Sequence, residues 1–168
     1  IESSEKLKST NRDNIIGIQS HIWSETIRNE NILDYMFMPN IIVFSQKAWS
    51  KDPKWMSIQD QTKRENTLNY EWNKFTNSIG QRVLPIVENI YGGLTYDLPK
   101  PGGIIKNDSL YANTAFPGLN IKYTLDGSLP NIESMNYNNP VEIDQDDVIY
   151  LRLFDNKGRG GYPIQVDK

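Results

Sequence analysis

Cysteine is absent from this 168-residue sequence, and histidine occurs once, at His21. Without cysteine the chain can form neither a disulfide bond nor a thiolate metal site. A single histidine does not supply the clustered ligands that a metal site needs. We therefore expect no metal ion and no other cofactor. We expect His21 to lie in a barrel interior or to pack on a strand face rather than to act in catalysis or metal binding.

Neither sign of charge dominates, and no long apolar run is present. The chain has 18 basic and 21 acidic residues, a net charge of −3, and its basic side chains form no stripe. A nucleic-acid partner is therefore not expected. No apolar run approaches the roughly 20 residues that a membrane-spanning helix requires. The composition is that of a folded globular protein rather than a disordered one.

The N-terminal residue is Ile1 rather than methionine, and no signal peptide precedes the folded pattern. We therefore expect a piece of a longer protein. A chain without cysteine suits a bacterial periplasmic or secreted enzyme, although cytosolic proteins can also lack cysteine.

The first half of the chain has the pattern of one strand followed by helices. A β-branched run from Ile15 to about Trp23 predicts a buried strand. Apolar residues at helical spacing follow it, and Pro39 predicts a kink or the start of a second helix. A longer amphipathic helix is predicted from about Ser57 to Gly80, and a shorter one follows to residue 89. The tryptophans of this half other than Trp23 are expected to pack between helices: Trp49, Trp55 and Trp72.

From Thr95 onward, short β-branched runs alternate with turn residues. Asp126-Gly127, directly after the run 121–125, predicts a tight hairpin, and Asn107-Asp108 predicts another turn. Several such strands within about 70 residues predict a small antiparallel sandwich. We place the domain boundary near residues 93–97, which divides the chain into residues 1–93 and 94–168.

Trp23 and Glu25 end the first apolar run and are the strongest candidates for a functional role. Side chains of a strand alternate, so these two would point to the same side. A flat apolar ring can pack on the C–H face of a sugar while a carboxylate accepts hydrogen bonds from its hydroxyl groups. A core tryptophan beside a helix-capping glutamate is the alternative, and the residues alone favour that alternative.

Several sequence blocks, in order, resemble the C-terminal part of the family 20 glycoside hydrolases, the β-N-acetylhexosaminidases and chitobiases. The blocks are Gly17-Ile18-Gln19, Trp23-Ser24-Glu25, Tyr35 to Pro39, Lys47 to Ser50, Trp72 to Phe75, Gly80 to Pro85, Leu98 to Gly103 and Tyr123 to Ser128. The resemblance extends over nearly the whole chain.

The resemblance implies an α+β fragment: the last strand and C-terminal helices of a (β/α)8 barrel, followed by a small Ig-like antiparallel β-sandwich. It implies a parent enzyme that removes terminal N-acetylhexosamine residues with retention, the substrate's own acetamido oxygen acting as the nucleophile. Trp23 would line the sugar pocket, and Glu25 would accept hydrogen bonds from sugar hydroxyl groups. The family's catalytic Asp-Glu pair, found in a motif like His-x-Gly-Gly-Asp-Glu, is absent, so we expect no catalytic residue and no activity in this piece.

The implied partners are an oligosaccharide containing N-acetylhexosamine, the remainder of the barrel, and a second copy of the fragment. One barrel strand without neighbours exposes two unpaired edges. Residues 13–23 are therefore expected to be irregular, covered by the helices, or paired with another copy. The sequence departs from the family pattern at Asn40 and at Gln46-Lys47, where a charge pair is expected to be replaced by neutral hydrogen bonding.

A non-enzymatic module is the alternative function, with the sandwich binding carbohydrate or a partner protein and the helices acting as a spacer. The sandwich segment has no tryptophan, and its aromatic residues show no spacing typical of a planar binding platform. Pure scaffolding by the sandwich fits the sequence equally well.

Overall fold

The computed structural model describes residues 9–167, and their first half is helical. A 3₁₀ turn at Ser9–Asn14 precedes an irregular stretch and four α-helices. These are α1 (Glu30–Phe37), α2 (Asn40–Trp49), α3 (Gln61–Ser78) and α4 (Leu84–Val87). Further 3₁₀ turns lie at Lys54–Ser57 and Ile90–Gly92.

Side-chain caps explain where α1 and α3 begin. The Asn29 side chain accepts a hydrogen bond from the Ile32 amide at 3.0 Å, and Asp60 accepts one from the Lys63 amide at 2.7 Å. Each satisfies a backbone N–H that a helix start leaves without a partner. The break between α1 and α2 falls at Pro39, as predicted, with a cis Met38–Pro39 bond.

The long helix continues further than expected. A π-helical turn at Ile79–Val83 links α3 to α4, so the chain stays helical from Gln61 to Val87. Within this turn Gly80 packs closely against the second half of the chain. A Cβ at Gly80 would collide with the Pro117 carbonyl oxygen. This end of the helix is thereby seated against the second half of the chain.

The second half is a sandwich of two antiparallel sheets. Its strands are β1 (Gly102–Lys106), β2 (Ser109–Asn113), β3 (Asn120–Thr124), β4 (Met135–Asn136), β5 (Val141–Glu142), β6 (Ile149–Phe154) and β7 (Ile164–Val166). One sheet has the order β1-β2-β5 and the other β4-β3-β6-β7. In the central pair, Ile121 lies opposite Leu153 and Tyr123 opposite Leu151. The predicted order of helices first and an antiparallel sheet domain second is confirmed.

The core lies between the two sheets and extends under the end of the long helix. Alternate residues of β6 (Ile149, Leu151 and Leu153) are buried, as period-two side-chain alternation requires. Leu110 of β2 faces them from the other sheet. The helical residues Ile79, Leu84 and Val87 belong to the same buried cluster, so helix and sandwich share one core.

Two predicted strand features are not observed in the residues that the structure describes. No strand is present between Ile15 and Trp23; this stretch is irregular and largely exposed, because no neighbouring described strand provides backbone hydrogen bonds. Of the three states expected for residues 13–23, the irregular one is observed for 15–23. The Asp126-Gly127 turn does not form a tight hairpin, since Asp126 bridges Val148 instead and the pairing of β3 with β4 begins only at Met135 and continues at Asn136. The tight two-residue turn is Asn107-Asp108.

The helical half leaves large apolar side chains in contact with solvent. Trp49 and Trp72 are 89% and 56% exposed, so their predicted packing between helices is wrong for the chain by itself. Trp55 is half-buried. Among residues 9–167, only three of the fourteen buried hydrophobic residues precede Gly93. Within the same range, no helix is both long and apolar enough to cross a membrane.

Candidate functional site

A hollow of about 560 Å³ separates the irregular segment from the first two helices. The segment contributes residues from Ser20 to Thr26, including Trp23 and Glu25. The opposite wall consists of side chains from the end of α1 and the start of α2: Met36, Phe37, Asn40, Ile41 and Phe44. The two residues singled out from the sequence therefore line one concave site.

Trp23 lines this hollow and is largely exposed. Its side chain is 73% exposed, and the ring of His21 lies beside it, with centroids 6.2 Å apart and planes tilted by 32°. His21 is exposed, which corrects the expectation that it packs on a strand face. Glu25 is also exposed. An accessible aromatic face next to a carboxylate provides both stacking and hydrogen-bond acceptance.

Local contacts hold the two walls of the hollow near each other. The Thr26 hydroxyl contacts the Met36 sulfur at 3.9 Å, which joins the irregular segment to α1. The Asn40 side-chain amide donates to the Met36 carbonyl at 3.3 Å, which joins the start of α2 to the last turn of α1. This bond goes to the backbone of α1 and not to Gln46 or Lys47, so the expected replacement of a charge pair stays a prediction.

A buried polar network connects the long helix to the sandwich. The Tyr96 hydroxyl donates to the Glu88 carboxylate at 2.7 Å, and both residues are almost fully buried. Arg159 donates to the Tyr96 carbonyl at 2.8 Å, forms an ion pair with Asp155 at 2.9 Å, and stacks 4.3 Å from the centre of the Tyr96 ring. Lys157 donates to the Glu88 main-chain carbonyl. Burial, together with the hydrogen bond to Glu88, raises the pKa of Tyr96 far above its usual value.

A second hollow, of about 490 Å³, lies between α1 and the sandwich. Tyr35 of α1 lines it from one side, with Asp97, Arg159 and Tyr162 on the other. The side-chain hydrogen bond with Asp97 and partial burial raise the pKa of Tyr35 to about 12. The Asp97 amide also donates to the Met38 carbonyl at 3.2 Å. Asp97 therefore contacts α1 through both its side chain and its backbone.

Metal chemistry has no support in the part of the chain described. No group of three or more histidine, aspartate or glutamate residues converges as metal ligands among residues 9–167. Asp144 and Asp147 lie in one turn, where the Asp147 carboxylate accepts a hydrogen bond from the Asp144 amide at 2.7 Å. This bond is the capping interaction of a polar turn.

Two curated relatives have sequences similar to this one. The N,N'-diacetylchitobiase of Vibrio harveyi is 33% identical over 119 residues, which are 66% of this chain and 13% of that protein. The beta-hexosaminidase of Vibrio vulnificus is 32% identical over 129 residues, which are 67% of this chain and 15% of that protein. The chain therefore spans a small part of the length of these relatives.

Two family models match adjoining parts of the sequence. Residues 1–52 match the catalytic domain of glycosyl hydrolase family 20, and residues 88–161 match the chitobiase/beta-hexosaminidase C-terminal domain. The two matches and the two relatives support a fragment of a family 20 glycoside hydrolase. The resemblance found from the sequence blocks is confirmed. The hollow containing Trp23 and Glu25 lies within the stretch that matches the family's catalytic domain.

Several residues at the two sites were not identified from the sequence. Met36, Phe37 and Asn40 line the Trp23 hollow because α1 and α2 meet there, and no motif around them indicated that position. Glu88, Tyr96 and Arg159 come together from positions up to 71 residues apart. The family resemblance includes the block at residues 35–39, and therefore Met36 and Phe37, but it implied no role for these two residues.

Proposed function

We propose that this chain is the C-terminal part of a β-N-acetylhexosaminidase, and that Trp23 and Glu25 form part of its terminal sugar subsite. The whole protein would hydrolyse terminal N-acetylhexosamine residues of oligosaccharides. This piece would supply one wall of the pocket and a β-sandwich that supports it. The proposal rests above all on the hollow in which Trp23 and Glu25 face α1 and α2.

The dimensions and chemistry of that hollow suit one sugar ring. A volume of about 560 Å³ is within the range of small-molecule pockets, roughly 300–1,000 Å³. The exposed Trp23 ring can pack on the C–H face of a pyranose, and the Glu25 carboxylate can accept hydrogen bonds from its hydroxyl groups. The apolar side chains of Met36, Ile41 and Phe44 suit the N-acetyl methyl group.

The exposed apolar residues of the first half suggest that another part of the whole protein covers them. Ile15, Ile16 and Ile18 of the irregular segment are at least half exposed, and Trp49 projects almost wholly into solvent. Large exposed apolar patches mark interaction sites in folded proteins. We propose that the remainder of a (β/α)8 barrel covers it and that residues 15–23 form a barrel strand there. With a neighbouring barrel strand on each side, this strand would place Trp23 and Glu25 at its end.

The general acid would come from elsewhere in the whole protein. In the proposed reaction the substrate's acetamido oxygen attacks the anomeric carbon while a glutamic acid protonates the departing glycosidic oxygen. The preceding aspartate orients the acetamido group. No Asp-Glu dipeptide occurs in the 168 residues. Trp23 and Glu25 therefore act in binding, and the chain by itself is expected to be inactive.

The test is binding and turnover by the purified chain. We expect N-acetylglucosamine to shift the indole N–H resonance of Trp23 in a ¹H–¹⁵N spectrum, with a dissociation constant in the millimolar range because several walls of the pocket are missing. Trp23→Ala should abolish saturable binding, and Glu25→Gln should weaken it. Trp49→Ala is the matched control, since Trp49 is at least as exposed but lies outside the hollow.

Two results would contradict the proposal. Equal loss of binding in Trp23→Ala and Trp49→Ala would mean that the sugar has no defined site at Trp23. Turnover of a chromogenic N-acetyl-β-glucosaminide by the purified chain, lost in Glu25→Gln, would mean that the catalytic acid lies within these residues. The expected result is no turnover in any variant.

The non-enzymatic alternative has its own readout in the same proteins. If the sandwich binds carbohydrate by itself, the Trp23→Ala chain will remain on a chitin resin as well as the unchanged chain does. If the pocket at Trp23 is responsible, that variant will elute with the unbound protein. Tyr162, 64% exposed on the sandwich, is the aromatic residue to substitute next in the first case.

A further inference from the structure

The pocket at Trp23 and the junction with the sandwich share helix α1 as a common wall. Tyr35 lines the hollow at the sandwich, whereas the next two residues, Met36 and Phe37, line the hollow at Trp23. The position of this helical turn therefore determines the shape of both hollows. Whatever holds Tyr35 and Met38 also holds the two pocket residues between them.

Asp97 contacts the residues on both sides of that pair. Its side chain faces the Tyr35 side chain at the hollow that both line and interacts with the Tyr35 hydroxyl there, and its backbone amide donates to the Met38 carbonyl at 3.2 Å. These contacts lie three residues apart on α1 and its C-terminal cap. The Met38 carbonyl is one of the acceptors that a helix end leaves without a partner inside the helix. Asp97 therefore contacts α1 on both sides of the two residues that line the pocket.

Asp97 is itself held in place by its neighbours. Tyr96 is buried and receives a hydrogen bond from Arg159 at its carbonyl, while its own hydroxyl bonds to Glu88. Leu98 on the other side is buried in the sandwich core. A residue between two anchored positions has little freedom, so the position of the sandwich is transmitted to α1 through Asp97.

We propose that Asp97 is a positioning residue, through which the β-sandwich sets the Met36–Phe37 wall of the sugar pocket. The predicted effect of Asp97 on sugar binding rests on the proposed function. The contact between Asp97 and α1 is independent of it. The sandwich thereby has a defined part in recognition without touching the sugar. Asp97 lies at the hollow on the far side of α1 and does not line the pocket at Trp23.

The test uses the full chain with methyl-labelled methionine. In the absence of sugar, Asp97→Ala should shift the Met36 methyl resonance, and Tyr35→Phe should shift it in the same direction. Met135, on β4 of the sandwich and 52% exposed, provides an internal reference that should not move. Asp146→Ala is the matched control because Asp146 is exposed in a distant turn.

Sugar binding is the second readout. Asp97→Ala should raise the dissociation constant for N-acetylglucosamine by about three- to tenfold, the factor expected for one lost hydrogen bond. Asp97→Asn should stay within about twofold, because an amide oxygen still accepts from Tyr35 and the backbone bond to Met38 is unchanged. Combining Tyr35→Phe with Asp97→Ala should add little to Asp97→Ala alone.

The outcomes separate the two proposals. A Met36 resonance unchanged in Asp97→Ala would overturn the positioning role, whether or not the chain binds sugar. Failure of the unchanged chain to bind N-acetylglucosamine would overturn the proposed function instead. If Asp97→Asn weakens sugar binding as much as Asp97→Ala does, the positioning role is also overturned. The contact with Tyr35, which asparagine can still make, would then not be the cause.

Discussion

Replacing Tyr96 by phenylalanine removes one atom from the buried network that joins the long helix to the sandwich. The ring is 1% exposed and stacks under Arg159, and phenylalanine keeps both the packing and the stacking. Only the hydroxyl is lost, and with it the 2.7 Å hydrogen bond to the Glu88 carboxylate. The substitution therefore isolates a single polar interaction in the interior.

The loss of stability in Tyr96→Phe follows from the burial of Glu88, the hydrogen-bond partner of Tyr96. Glu88 is 4% exposed, so water cannot readily replace the missing donor. A hydrogen bond to a charged group contributes about 1.5–3 kcal/mol, and a buried acceptor left without its donor loses a similar amount. We expect the free energy of unfolding to fall by about 1.5–3 kcal/mol, which lowers the melting temperature by about 3–12 °C for a chain of this size.

Equilibrium unfolding in urea at neutral pH, followed by circular dichroism, measures this change. Tyr150→Phe is the matched control, because the Tyr150 hydroxyl donates to Gln165 at 3.1 Å in an exposed position. There we expect a change within about 0.5 kcal/mol. The double variant Tyr96→Phe with Glu88→Gln should be non-additive, since both changes act on one bond.

Three results would refute this reasoning. One is a Tyr96→Phe protein within about 0.5 kcal/mol of the unchanged chain, which would mean that Glu88 is solvated or finds another donor. A second is an equal cost in Tyr150→Phe, which would remove burial as the cause. The third is strict additivity with Glu88→Gln, which would mean that the two side chains do not interact.

Three further predictions concern packing and pH. Leu151→Ala, at a fully buried position of β6, should cost about 2–5 kcal/mol in urea unfolding through the cavity it leaves, whereas Leu129→Ala at an exposed position should cost less than about 1 kcal/mol. Gly80→Ala should lower the urea midpoint markedly, because its Cβ meets the Pro117 carbonyl, while Gly17→Ala, with nothing within 4 Å, should leave it unchanged. Because the pKa of Tyr35 is about 12 in the folded chain and about 10 in an unfolded one, the unfolded state ionises first, so the stability that Tyr35 contributes is lost as pH rises from 10 to 12. The stability difference between the unchanged chain and Tyr35→Phe should therefore shrink by about 1 kcal/mol over that interval, after allowance for solvent screening, and a constant difference would contradict the assignment.

Local signals predicted several elements because their causes are local. The helix break at Pro39 and the turn at Asn107-Asp108 were both predicted, and each arises from the residues at that position and their immediate neighbours. The change from helical spacing to short strands near residue 95 likewise follows from side-chain periodicity. Trp23 and Glu25 line one hollow although their stretch is not a strand, so the alternation that predicted their common side is not what brings them together.

The sequence by itself determined the order of helices first and strands second, the helix break at Pro39 and the turn at Asn107-Asp108, and that family 20 motifs run through the chain. Whether 15–23 forms a strand depends on partner strands, and the Asp126-Gly127 turn depends on the bridge to Val148. Tertiary structure alone decided that Asp97 holds Tyr35 and Met38, 62 and 59 positions away in the chain. The physical reason is that hydrogen bonds and burial between distant segments exist only once the chain has folded, so no local pattern encodes them.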